Sequence, residues 1–182
     1  MNDKLIIYQI LTRLFTNGNK YCVPNGTIEQ NGCGKMNDIT SHVLESIRSL
    51  GSTHVWYTGI IEHATKTDYS RFGIRPDNPY IVKGRAGSPY AIKDYYDIDP
   101  DLAVSVPDRM KEFEALVDRS HKAGLKVIID FVPYHVARQY HSDAAPAGVK
   151  DFSGDDDTTK FFSPNNNCYY IPQQKFAPAI DL

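Results

Sequence analysis

The run Asp130-Phe131-Val132-Pro133-Tyr134-His135 places a carboxylate and an imidazole five residues apart. Such a pair can hydrogen-bond a polar ligand or move a proton. On a regular strand the two side chains would face opposite sides, because strand alternation has a period of two. Pro133 interrupts that alternation, so both groups can turn toward one pocket at the strand end. The competing reading is a loop aspartate beside a surface histidine. Cys22, Cys33 and Cys168 fit no zinc spacing, and an odd count is no disulfide framework. A Cys22–Cys33 bridge stays open as a pairing. Asp155-Asp156-Asp157 reads as a solvated loop.

Regular elements must position these groups. Leu5 to Leu11 is apolar nearly throughout, as in a strand covered on both faces. An Asn- and Gly-rich loop follows, from Thr16 to about Asn37. The spacing of Ile39, Val43, Ile47 and Leu50 predicts a helix over 38–50, with Asp38 as N-cap and Gly51 just past its end. Thr53 to Thr58 is β-branched and aromatic and reads as a second strand. Gly59 to Ser105 reads as a long irregular stretch. Pro107 opens a second helix striped by Met110, Phe113, Leu116 and Val117, with a capping-box-like Ser105 and Asp108 ahead of it. Lys126 to Val132 is the third strand. Strand, helix and strand joined this way imply right-handed crossovers between parallel neighbours. In such folds the loops after the strand C-termini build the site, here after Leu11, Thr58 and Val132.

Composition narrows the class. The chain has 182 residues and a net charge of -2 from 20 basic and 22 acidic side chains, so a basic nucleic-acid footprint is not expected. No run approaches the roughly 20 apolar residues of a membrane helix. The N-terminus has no apolar leader core, which suits a cytosolic protein or an exported one given without its leader. A complete eight-fold α/β barrel takes about 250 residues, so only part of one fits this length. The chain is rich in aromatics, with 12 Tyr, 8 Phe and 1 Trp. They suit half-buried strands, and they also suit sugars, whose C–H faces pack on aromatic rings.

Four runs, taken together, resemble a known family. They are Ile7-Tyr8-Gln9-Ile10, Leu50 to Thr58, Tyr90 to Pro100, and Phe113 to His121 followed by Gly124 to Asp130. Their order and spacing are similar to the N-terminal part of the α-amylase family, family 13 of the glycoside hydrolases. The resemblance implies an α/β fold, a partial (β/α)8 TIM barrel holding the first three strands. Residues 1–138 would belong to the barrel. Residues 139–182 would start the small domain inserted after the third strand, a match by position only. The implied activity is retaining hydrolysis of α-glucans or related oligosaccharides. By the same resemblance Tyr90 stacks on the sugar beside the scissile bond, His135 hydrogen-bonds that sugar, and Asp130 organises the site. Asp94 and Tyr95 match a structural Asp-Tyr pair.

This sequence departs from the pattern in two ways. The family usually carries Asn before the histidine, where it often binds Ca²⁺; here the position is Tyr134, and a phenol is a poor Ca²⁺ ligand. No ligand is therefore expected at the usual calcium position, although oxygens of the tail can supply a different, weaker Ca²⁺ site; and since the family's nucleophile, acid/base and third acid lie on later strands, no catalytic residue is expected in these 182 residues. The expected partners are an α-glucan or oligosaccharide and, through open sheet edges, further copies of the chain. Two other readings stand beside the hydrolase. One is a non-catalytic carbohydrate-binding or accessory relative. The other is an unrelated α/β barrel enzyme, against which the absence of a Gly-rich phosphate loop and the Tyr90-to-Asp94 pattern both count.

Overall fold

The computed structural model describes residues 4–152, 154–157, 159, 163 and 165. In chain order the elements are β1 (Ile7–Leu11), α1 (Thr12–Phe15), α2 (Ile28–Asn31), α3 (Ser41–Ser49), β2 (His54–Thr58), β3 (Ile61–His63), β4 (Ile92–Ile98), α4 (Arg109–Lys122) and β5 (Lys126–Ile129). Strands β1, β2 and β5 form a parallel sheet in that order, with Gln9 opposite Trp56 and Trp56 opposite Ile128. The two expected crossovers are present, one carrying α3 and the other α4. This is the opening of a (β/α) barrel.

One face of the sheet makes the core. Ile10, Val55 and Tyr57 pack there with Leu44, Ile47, Leu116 and Leu125. The buried Tyr57 hydroxyl is satisfied by Ser120 Oγ at 2.8 Å. Among the described residues only one of the two faces is covered. Ile7 is 48% exposed, and Trp56 and Ile128 are only half-buried. The helices lie on one side, and among the described residues nothing comparable covers the other.

Local capping shifts the helix starts. Thr40, not Asp38, caps α3: its backbone is extended and its side chain accepts from Val43 N at 3.4 Å. Asp38 lies in a preceding 3-10 turn, Met36–Asp38. The buried stripe is therefore Leu44 and Ile47, while Leu50 sits exposed at the C-cap. Ahead of α4, the Ser105 hydroxyl donates to Asp108 Oδ2 at 2.8 Å. Glu112 reaches back to accept the backbone N–H groups of Val104 and Ser105 at 2.9 and 2.7 Å. It buries with Leu116 and Ser120, whereas Met110 is exposed.

The stretch from Gly59 to Ser105 is not irregular throughout. β3 and β4 pair antiparallel, with register irregularities around Glu62. Asp94 is fully buried and holds this hairpin to the chain after β5. Its carboxylate accepts from Tyr96 N, Ser142 Oγ, Asp143 N and Ala144 N at 2.7 to 3.2 Å. The Tyr95 hydroxyl donates to Val132 O. The Asp-Tyr pair is thus structural. The third strand ends at Ile129 rather than Val132, because the Asp130 carboxylate is drawn to β2 and Pro133 offers no N–H. Cys22 and Cys33 are both free, so the open bridge is not made. Burial pushes the Cys33 thiol up to about 11, which leaves it protonated and inert. Cys168 and most of the expected inserted-domain start lie outside the described residues.

Candidate functional site

The site grows from the C-terminal end of the parallel sheet. Asp130 follows β5 directly. Its Oδ1 accepts from Trp56 Nε1 at 2.5 Å, and its Oδ2 accepts from Gly59 N at 3.1 Å. Trp56 is presented by the open face of β2. Gly59 has a φ of 72°, and a Cβ there would meet Pro89 Cβ at 2.9 Å. A side chain at 59 would therefore push away the loop that carries Tyr90. Tyr90 is 51% exposed and lines a cavity of about 430 Å³ with Trp56, Asp130, Phe131 and Tyr134. That volume lies within the range of small-ligand sites.

His135 opens onto a neighbouring concavity of about 490 Å³, walled by Tyr95, Tyr96, Tyr140 and Phe152. The structure therefore brings Tyr90 and Asp130 into one cavity and leaves His135 in the next. Phe131 and Tyr134 line both. Pro133 does turn the chain, but Tyr134 comes between. Sequence reasoning passed over Trp56 and Tyr134 as lining residues. The alternation of β2 offered a signal for Trp56 only, since it shares a face with Gln9 and Ile128.

A second group of ionisable residues lies in the hairpin. Oxygens of Glu62, Asp94 and Asp97 fall within 4.8 Å of one another, all buried. Lys93 Nζ stands 3.5 Å from Glu62 Oε1 and 3.6 Å from Asp77 Oδ2. Arg109 forks onto Asp97, with Nε at 2.8 and 2.9 Å from its two oxygens. Burial pushes the Glu62 carboxyl up to about 8, against the pull of Lys93. His63 faces Asp99 through Nδ1 at 2.6 Å and Ala86 O through Nε2 at 3.1 Å. Burial opposes its charge, but the Asp99 carboxylate outweighs that and raises its pKa. Two acceptors on one ring favour the imidazolium.

These carboxylates are close enough to suggest glycoside chemistry, yet they line neither cavity and no glycan can reach them. Retention needs two accessible carboxyl groups about 5–5.5 Å apart. Lys93 and Arg109 already supply cationic charge here, so the group reads as a buried ionic network, within which Glu62 Oε2, His63 Nδ1 and Asp99 Oδ2 lack a well-directed hydrogen bond. Tyr134, at the position of the usual calcium-binding amide, is 85% exposed and sets its ring edgewise to His135, centroids 4.4 Å apart. An exposed phenol does not fit the hard-oxygen set that calcium takes.

A third concavity, of about 640 Å³, lies between the loop after β1 and residues 66–68. The Asn17, Asn19 and Asn31 side chains at its rim are spent on the loop backbone, on Asn31 O, Gln30 O and Val23 O among others. Among the described residues no helix is long and apolar enough to cross a membrane.

Parallel strands with helical crossovers, and a clamped carboxylate beside an exposed ring at the strand C-termini, define the first part of an α/β barrel with its site at the usual end. The chain belongs to the alpha-amylase catalytic-domain family, whose model matches residues 9–173. It is 28% identical over 172 residues to Maltase 1 of Drosophila virilis, covering 88% of this chain and 21% of that protein. It is 29% identical over 134 residues to the amino acid transporter heavy chain SLC3A1 of Mus musculus, covering 74% of this chain and 14% of that one. An alpha-amylase from Lactobacillus plantarum superposes with a TM-score of 0.50 at 27% identity, covering 74% of this chain and 24% of the other. The chain spans about a fifth of the length of the curated relatives it matches.

Proposed function

We propose that this chain is the N-terminal part of an α-glucan-acting retaining glycosidase of the α-amylase type, and that it supplies sugar contacts rather than the reacting carboxyl groups. The observation that carries this reading is Asp130, clamped by Trp56 and Gly59 and sharing a cavity with Tyr90. The Tyr90 ring packs on the apolar face of a glucosyl residue. Asp130 meets the hydroxyls of that sugar with its remaining lone pairs. Two fixed donors hold it, so it positions the sugar and does not react. His135 contacts the sugar from the next cavity. The two reacting carboxyl groups come from later barrel strands, residues 139–182 begin an inserted domain, and no calcium sits at Tyr134.

The test uses the purified chain with maltotriose and starch. It is expected to release no reducing sugar above a Tyr90→Ala, His135→Ala control, while maltotriose changes its fluorescence in a saturable way. Hydrolysis by the chain would overturn the division of labour. A flat fluorescence response would overturn the sugar contacts.

A second reading, a non-catalytic accessory relative, draws on the likeness to a transporter heavy chain. Acidic residues on the later strands of the full gene product would decide for the enzyme, and their loss for the accessory protein.

A further inference from the structure

His63 is a buried titratable side chain that lines neither sugar cavity. Its ring lies between two acceptors from different parts of the chain. Nδ1 meets Asp99 Oδ2, just past β4, at 2.6 Å, and Nε2 meets the Ala86 carbonyl at 3.1 Å. Ala86 belongs to the segment that carries Tyr90. Backbone bonds pin that segment at its ends: Lys66 N donates to Arg85 O at 2.8 Å, and Ala64 N to Ala91 O at 3.0 Å. Between the pins the chain makes a turn, closed by Ala91 N on Ser88 O at 2.9 Å, with Pro89 and Tyr90 at its tip. Gly87, with a φ of 76°, lies flush against the hairpin: a Cβ there would collide with Ala64 O and meet His63 Cδ2 at 3.3 Å. The His63 ring thus forms part of the floor beneath the Tyr90 turn.

We propose that His63 is a positioning residue for Tyr90: its ring, anchored by Asp99, holds the Ala86 carbonyl and so sets the turn that presents the Tyr90 face to a sugar. The inference rests on the sugar-contact reading above and extends it to a residue that touches no sugar. The link needs a charged ring. A neutral imidazole carries one N–H and one bare lone pair, so it would set that lone pair against either the Asp99 carboxylate or the Ala86 carbonyl. The imidazolium offers an N–H to each side. The charged groups that face it are Asp99 and Asp101 after β4, Arg13 of α1, and Asp77 of the segment ahead of β4. Burial opposes the charge, and Asp99 outweighs burial. Loss of the second proton frees the Ala86 carbonyl and loosens the turn, so sugar affinity falls as pH rises through the His63 titration.

Three measurements on the whole chain test this. Nitrogen-15 NMR of the imidazoles at about pH 7.5, where an ordinary histidine is neutral, should find both His63 nitrogens protonated; a neutral ring overturns the proposal. Hydrogen exchange reads the turn through the Ala91 N–H, and Trp56 fluorescence reads maltotriose binding. His63→Leu should cut the protection of Ala91 about tenfold and weaken maltotriose about fivefold. His63→Gln, which keeps a donor but does not titrate, should restore both and remove the wild-type fall in affinity at high pH. A merely structural role would not produce that change in the pH profile. Gly87→Ala lifts the segment with His63 intact, so it keeps the test open should His63→Leu fail to fold, and it should weaken maltotriose likewise. If His63→Leu or Gly87→Ala binds maltotriose like the wild type while Tyr90→Ala does not, the positioning role is wrong and the Tyr90 contact stands. If the wild type itself shows no response to maltotriose, the sugar-contact reading falls and the positioning role with it.

Discussion

The Trp56 indole donates to the Asp130 carboxylate at 2.5 Å, across 74 residues of sequence. This bond ties β2 to the end of β5, and Gly59 N completes the clamp on the other oxygen. Asp130→Ala leaves both donors without an acceptor. A loss of about 1–3 kcal/mol is expected, read as a lower urea midpoint at unchanged slope. Asp130→Asn keeps one acceptor and should lose roughly half as much. If Asp130→Ala unfolds at the wild-type midpoint, the clamp contributes nothing.

Stability should fall as pH rises through neutrality, and Glu62 should be a main cause. Its folded pKa is about 8, raised by burial from an ordinary 4.5. Between those values the folded state holds a proton that the unfolded state has released. The Glu62 contribution is therefore full below about pH 4.5 and declines toward pH 8, by at most about 1.4 kcal/mol per unit. The groups facing Glu62 are Lys93, Asp94, Asp97 and Asp99. Glu62→Gln should flatten the decline. A residual slope of the same sign should remain from Asp77, which burial also raises. Chemical denaturation at several pH values measures it, and an unchanged slope in the variant would count against a protonated Glu62.

The chain's single tryptophan lines the Tyr90 cavity, which makes it a built-in reporter. Maltotriose should shift Trp56 emission, and Tyr90→Ala should weaken the apparent affinity by about 0.5–1.5 kcal/mol. Tyr80 is the proper control, being 84% exposed and absent from that cavity. Tyr69 is not suitable, because it is buried and its hydroxyl donates to Asp101 at 2.5 Å. Equal affinities for Tyr90→Ala and Tyr80→Ala would remove Tyr90 from the site.

Self-association is the expected solution behaviour of the chain. The open sheet face presents Ile7, Leu11 and Trp56, with Phe131 beside it, and the outer edges of β1 and β5 are unpaired among the described residues. Such surfaces recruit strands and apolar partners. Light scattering over a dilution series should show a concentration-dependent mass. A clean monomer that binds no hydrophobic dye refutes the expectation.

The three parallel strands were legible as short apolar and β-branched runs, and both crossover helices because their apolar positions recur every 3.6 residues. The hairpin was not. Glu62, His63, Lys93, Asp94 and Asp97 are all buried in β3 and β4, so its inward positions read as polar. Their partners, such as Arg109 and Ser142, lie 12 and 48 residues away, beyond what local spacing reveals. At the site, spacing drew attention to Asp130 and His135 and the resemblance to Tyr90, but not to the division into two cavities that leaves His135 apart from Asp130.

The fourfold grip on Asp94 also sets an order of assembly. Three of its four donors belong to residues 142–144, about 50 positions downstream. A loop of that length must close before these contacts are gained, as it must for β1 and β2, whose partners lie 47 residues apart, so the order of synthesis distinguishes the two. During synthesis the sheet between β1 and β2 can pair early. Until Ala144 has emerged, only Tyr96 N of the four donors is present for the Asp94 carboxylate, and so the β3–β4 hairpin locks after the β1–β2 pair.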